Sequence, residues 1–280
     1  ASGATLAAYM KYMVAEGKSY STVGKVIPAA VADAHKYTGY GSPTADILVA
    51  GAKKVAAEIC GPSKSKAPLL MSDWLRMVQE AGPNPSKLEI RDLFMMLLML
   101  LGFLRQSEAV NLDVEDVWIE HVPGKDGKPR PVLFVFIEKS KVDQVRRGHT
   151  IVIGSAPGLV QCPIRWLGKY LRVRRPGKKL FTQMAGSTEK AMCSKVACRV
   201  MKKWAKRIGE DPSRFGGHSP RRGGVTAAMQ AGVSVRLIKR HGNWKSDAVF
   251  IYCDDSIKSK LMVADAIQNN RLSRGDFMCL

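Results

Sequence analysis

His218 and Arg221 lie three residues apart, Trp244 follows them, and Tyr252 closes the stretch GGHSPRRGGVTAAMQAGVSVRLIKRHGNWKSDAVFIY. A spacing of three puts the imidazole and the guanidinium on one side of a helical turn. Gly216 and Gly217 break the chain just before them, so the pair opens a helix, where backbone N–H groups also favour a phosphate. A basic, hydrogen-bonding pair followed by a phenol points to chemistry on a phosphate with tyrosine as the attacking group. Upstream, the phrase GFLRQSEAVNL carries Arg105 and, one turn on, Glu108. Each signal alone is ordinary. His-x-x-Arg at a helix start is usually a cap, Arg-x-x-Glu a surface ion pair, and a tyrosine near a helix end a packing residue.

Other chemistries lack their residues. The GxxxxGK[ST] phosphate loop is absent, as is a carboxylate cluster suited to two metals. The six cysteines (Cys60, Cys162, Cys193, Cys198, Cys253, Cys279) lack the CxxC spacing of zinc modules, so no metal site and no cofactor are expected. Scattered thiols in a chain of this size fit a reducing compartment.

The elements that must position these groups begin with three helices, Leu6–Val14, Val23–His35 and Ala45–Ile59, the last two separated by a GYGSPT turn. GPSKSKAP then reads as a linker, giving a helical unit 1–62, a linker 63–68 and a larger unit 69–280. Two helices follow, Met71–Gln79 and Leu88–Leu104. The second is apolar nearly all round, so it is buried and delivers Arg105 at its end. The period then changes to strands at Val117–Glu120, Val132–Glu138 and Thr150–Ile153, with GKDGKP turning the first hairpin. The second and third strands are joined by a cation-rich loop, EKSKVDQVRRGHT. Helices are expected again at Pro163–Arg175, Thr188–Ile208, His218–Gly232 and Val233–Lys239, with Ser246 capping a last one that ends at Tyr252. The fold class is therefore mostly α with one small antiparallel sheet.

Charge says what the partner is. The chain has 280 residues, a net charge of +20 and a pI near 9.9, values that suit a polyanion, above all nucleic acid. Residues 1–60 contain no arginine and only six lysines against four acids; the other 38 basic residues lie where the motifs are. The helix expected at 188–208 carries Lys190, Lys195, Arg199, Lys202, Lys203, Lys206 and Arg207, a cationic stripe fit for backbone phosphates. No stretch is long and apolar enough to span a membrane. No signal peptide precedes the first helical pattern, as in a piece cut from a longer protein.

Arg105, Glu108, a lysine in the strand loop, His218, Arg221, Trp244 and Tyr252 stand in an order that resembles the catalytic core of the tyrosine recombinases, the phage-integrase family. Many members have Gly-His where this chain has Gly242-Asn243-Trp244, although tryptophan stands there in some; His241 is a second candidate for that place. RHGNWKSDAVFIY also looks like segments of recombinases from eukaryotic DIRS-type and Crypton mobile elements.

The resemblance implies a two-domain layout, with 1–62 a core-binding domain that clamps DNA, 69–280 the catalytic domain, and a tail at 256–280 for contacts between protomers. It implies cutting and rejoining of double-stranded DNA through a 3′-phosphotyrosyl link, by a homo-oligomer that is tetrameric in the synapse, without metal, nucleotide or other cofactor. Tyr252 would attack; Arg105 and Arg221 would hold the phosphate, with His218, Trp244 and Glu108 in support. Lys141 matches the family's general-acid lysine best, with Lys139 the fallback. Lys139, Arg146, Arg147, Arg199, Lys202, Lys203, Lys206 and Arg222 are the expected DNA contacts. Integration or excision of a mobile element is the expected task, in the nucleus of a eukaryote or otherwise in the cytoplasm. A type IB topoisomerase, a telomere resolvase, or a domesticated DNA-binding protein that has lost cleavage are the alternatives.

Overall fold

Apolar periodicity in the first sixty residues builds three helices around a small core, and the computed structural model shows how they close. It describes residues 2–62, 65–124, 127–138, 148–183, 190–252 and 261. The chain divides into two compact units, Ala1–Ser65 and Lys66–Leu280. In the first, α1 (Gly3–Ala15), α2 (Ile27–Lys36) and α3 (Ile47–Cys60) enclose Leu6, Met10, Val23, Val49 and Ala56. The helix expected at 23–35 instead starts as a wide π-helical turn, Ser21–Val26, in which the Ile27 N–H donates to the Thr22 carbonyl. Pro28 supplies the reason: it has no N–H, and its ring would press on the carbonyl four residues back in a regular helix.

The second unit is organised by α5 (Lys87–Leu101), every residue of which from Ile90 to Leu100 is buried. It packs against α4 (Met71–Ala81), α7 (Pro163–Val173), α8 (Ser194–Arg207) and α9 (Ser219–Gln230). Two charged residues sit inside this apolar helix. Arg91 donates to the Thr182 and Gln183 carbonyls and to Asp92 Oδ1, while Trp204 Nε1 of α8 donates to Asp92 Oδ2 at 3.4 Å. Burial pushes the Asp92 carboxyl up despite that company. The pair ties α5 to the segment that leads into α8.

The sheet has the order β1-β2-β3, antiparallel throughout, with β1 at Val117–Pro123, β2 at Pro129–Ile137 and β3 at His149–Gly154. Leu133, Val135 and Ile137 of β2 face the core beside Ile151 and Ile153, the period-2 pattern of a strand with one buried face.

In the second unit two helix boundaries shift by three residues or more from the sequence expectation. The helix α5 ends at Leu101, not Leu104, because Gly102 leaves the helix and Phe103 turns left-handed at φ 50°, with Leu104 N–H returning to the Met99 carbonyl. Similarly, α8 starts at Ser194: Ala191 pairs with Thr182 as a β-bridge, and the Lys190 carbonyl accepts from Gln183 N–H at 2.8 Å. Lys190 therefore lies outside the stripe. No helix among the described residues is long and apolar enough to cross a membrane.

Candidate active site

The turn at Phe103 delivers Arg105 to the N-cap of α6 (Gln106–Asn111). Glu108, one turn on, bends back: its Oε2 accepts from the Arg105 backbone N–H at 2.7 Å and its Oε1 from Arg105 Nη1 at 2.5 Å. The Arg-x-x-Glu spacing is thus a buried capping arrangement.

Arg221 arrives from α9, in the first turn after His218. Glycines make the approach possible. A Cβ on Gly223 would stand 1.7 Å from the Leu69 carbonyl oxygen, and one on Gly224 2.1 Å from that of Leu100, so a side chain would push α9 off the segment before α4 at the first position and off the end of α5 at the second. The Arg221 side chain is 1% exposed. Its Nη1 donates to the Phe103 carbonyl at 2.5 Å and its Nη2 to the Gly242 carbonyl at 2.9 Å. Its Cζ lies 3.7 Å above the Trp244 ring, and Glu108 Oε2 is 3.7 Å from Nη1. Buried Nε has no acceptor among the described residues. Burial, then the neighbouring Arg105 charge, push the Arg221 pKa down to about 10, with Glu108 pulling the other way.

Trp244 is set by a second left-handed residue, Asn243 at φ 51°, a conformation asparagine tolerates better than most. Its ring packs against Gly242, where a Cβ would fall 1.6 Å from a ring carbon. Tyr252 ends a 3-10 turn, Asp247–Tyr252, anchored by buried Val249 in a cluster with Phe103, Val225, Ile238 and Trp244. The Tyr252 ring centre is 5.7 Å from that of Trp244, 6.3 Å from that of His218 and 5.9 Å from the Arg221 Cζ.

Six of the seven expected catalytic residues therefore stand together: Arg105, Glu108, His218, Arg221, Trp244 and Tyr252. The seventh, Lys141, lies outside the described residues, as do Lys139, Arg146, Arg147 and the tail apart from Leu261. His241 has a supporting place: its Nε2 pairs with the Leu101 carbonyl at 2.8 Å, its ring meets Phe103 edge-on, and burial lowers its pKa.

Of the expected DNA contacts, Arg199, Lys202, Lys203 and Lys206 are exposed on α8 together with Lys195, opposite its buried Ala197, Val200, Met201 and Trp204. Arg207 leaves the stripe, since it stacks on Trp204 and pairs with Glu89 at 2.6 Å. Arg222 is half-buried, lies on α9 and donates to the Lys66 carbonyl. Sequence reasoning missed Phe103, whose carbonyl holds Arg221, and Thr226, whose hydroxyl meets Tyr252. The Gly223–Gly224 pair inside a helix was the one available sign of that close packing.

The profile of the phage integrase family matches residues 71–256, a span holding every residue of this cluster. The chain belongs to the phage integrase family, the tyrosine recombinases. A curated relative, the integrase/recombinase xerD homolog of Selenomonas ruminantium, is 27% identical over 255 residues, covering 88% of this chain and 71% of its own length. Among solved structures, the Tn1549 transposon integrase in complex with circular intermediate DNA aligns with a TM-score of 0.58 at 15% identity, over 94% of this chain and 85% of that one. A lambda integrase dimer bound to a COC' core site aligns with a TM-score of 0.59 at 19% identity, over 92% and 81%. The XerH site-specific recombinase in a post-cleavage complex gives 0.57 at 15% identity; it covers 75% of this chain, which spans only 55% of XerH. At these identities the structures share a fold with this family member: mostly helical, with a small antiparallel sheet.

Proposed function

We propose that this chain is a site-specific recombinase that cleaves double-stranded DNA and rejoins it through a covalent 3′-phosphotyrosyl link. The convergence of Tyr252 on the buried Arg221 and on His218 and Trp244 is the observation that carries the reading. Tyr252 attacks the scissile phosphorus. The bond to the 5′-oxygen breaks, and Lys141 protonates the leaving oxygen. Arg105 and Arg221 meet the charge growing on the non-bridging oxygens, and the unoccupied Nε of Arg221 is a donor available for that task. His218 hydrogen-bonds the phosphate or takes the phenol proton. Glu108 keeps the two guanidiniums side by side, and Trp244 supports Arg221 from beneath. The phosphotyrosyl bond conserves the phosphodiester energy, so rejoining needs no nucleotide.

The exposed cations of α8 contact the DNA backbone, and residues 1–62 close on the duplex as the second half of a clamp. Protomers associate on DNA, with residues 256–280 of one reaching a neighbour. A groove of about 1190 Å³ between β3 and α10 (Val235–His241), lined by Ile151, Val152, Val235 and Leu237, suits the apolar Leu261, Met262 and Ile267 of that segment from a second copy. Its task on this reading is the integration or excision of a mobile element, wherever the host keeps its DNA; the likeness to the Tn1549 transposon integrase supports it. The test is a nicked duplex whose short 5′-hydroxyl fragment diffuses away after attack. Protein should accumulate on the DNA 3′ end, in EDTA as well as without it. Cleavage that needs magnesium, or that leaves no protein on the DNA, would refute the reading.

A further inference from the structure

We propose that Thr226 is a positioning residue that fixes the pivot of the nucleophile; this rests on Tyr252 being the attacking group. Thr226 lies on α9, the helix that also carries Arg221 and is capped by His218, and it is only 2% exposed. A threonine hydroxyl inside a helix usually returns to the carbonyl four residues earlier in its own helix. Here Thr226 Oγ1 donates across to the main-chain carbonyl of Tyr252, at 3.0 Å.

That bond joins the phosphate-binding helix to the backbone of the attacking residue itself. Among the described residues, the earlier part of the 3-10 turn is held by Val249 through the core and by an ion pair of Asp247 with Lys239 at 3.0 Å, where the Asp247 side chain is 79% exposed. The Tyr252 ring packs on Trp244 and His218 at ring-centre distances of 5.7 and 6.3 Å, ordinary spacing for aromatic pairs, so the ring contacts alone do not fix where a turn of the phenol would carry its oxygen. A swing about the side-chain bonds reaches one point in space only if the backbone from which it starts is held. With the Thr226 bond in place, Arg221 and the phenol share one rigid frame, so the arginine that binds the phosphate also sets where the oxygen arrives. Misplacement by about 1 Å costs on the order of a hundred-fold in an oriented reaction.

The test compares Thr226→Val, which keeps the shape and removes the donor, with Thr226→Ser, which keeps the donor. The substrate is a nicked duplex made from the DNA fragment on which the wild-type chain forms its covalent adduct. Single-turnover adduct formation is followed against protein concentration, with thermal unfolding of each variant alongside. Thr226→Val should lower the saturating rate by about ten-fold or more, one lost hydrogen bond plus the misplacement it permits. The half-saturating concentration should stay within about two-fold, because Thr226 is buried and a ground-state DNA contact is not what it makes. Thr226→Ser should recover most of the rate. A Thr226→Val rate within about two-fold of wild type overturns the proposal, and so does a Ser variant as slow as Val at equal affinity. Should Val destabilise the unit, Thr226→Ser against Thr226→Ala reads the same bond, since the two differ only by the hydroxyl; equal rates there would also overturn it. A wild-type adduct mapped to another residue refutes the site assignment instead, and is read separately.

Discussion

Replacing Glu108 by glutamine removes one negative charge from between two guanidiniums, and the structure lets the cost be worked out. Glu108 is 4% exposed, Arg221 1% and Arg105 13%, so little water is at hand to replace the carboxylate. Removing one partner of a buried ion pair costs about 3–5 kcal/mol, because the other charge is left buried. Glutamine still accepts one hydrogen bond and Arg105 keeps some solvent, which sets the loss at the lower end, about 3 kcal/mol. At about 2–4 °C per kcal/mol for a domain of this size, the Tm should fall by about 6–12 °C. A second readout is pH. The Arg221 pKa is already down to about 10 through burial and Arg105, and Glu108 is the group that opposes them. Glu108→Gln should lower it further, so cleavage, which needs the charged guanidinium, fails at a lower pH on the alkaline side. The linkage has the matching sign: a depressed cation pKa costs stability below the folded pKa, and the cost is relieved as pH rises through it. Thermal scans and single-turnover rates between pH 7 and about 10 measure both. A Tm change under about 2 °C together with an unmoved alkaline limb would refute the account of Glu108 as the charge that keeps the arginines together.

On α8, Arg199→Ala and Lys202→Ala should each weaken DNA binding and reduce the slope of log affinity against log salt by about 0.9, as loss of one phosphate contact does; equal slopes in fluorescence anisotropy titrations would remove these residues from the interface. Lys141→Ala should slow cleavage more than it weakens binding, whereas Lys139→Ala should not, because a general acid acts only in the transition state. A 5′-thio leaving group needs little protonation and should restore the Lys141→Ala rate; no rescue would move the role to another residue.

The site was legible in the sequence where side-chain chemistry marks it. Arg105, Glu108, His218, Arg221, Trp244 and Tyr252 are distinctive types at distinctive spacings, and all six meet in space. The burial of α5 was legible too, because an uninterrupted apolar run has only one stable place. What escaped depends on backbone geometry and distant partners. Phe103 adopts a left-handed turn that an aromatic residue rarely takes, and nothing in its neighbours announces it. The start of α8 was read too early because Ala191 looks helical locally but pairs with Thr182 from the preceding segment. Arg207 fitted the cationic stripe by spacing, yet Glu89, far back in the chain, claims it. The Thr226 contact joins residues on two separate elements, a relation that spacing along one helix does not contain.

The central claim is that Tyr252 becomes bonded to DNA. The nicked-duplex adduct should be digested with protease and nuclease and the modified peptide sequenced by mass spectrometry. The account predicts a nucleotide on the Tyr252 phenol oxygen, linked through a 3′-phosphate, and a Tyr252→Phe protein that binds the same DNA with unchanged affinity but yields no adduct. A nucleotide on any other side chain, or undiminished adduct from Tyr252→Phe, would contradict it.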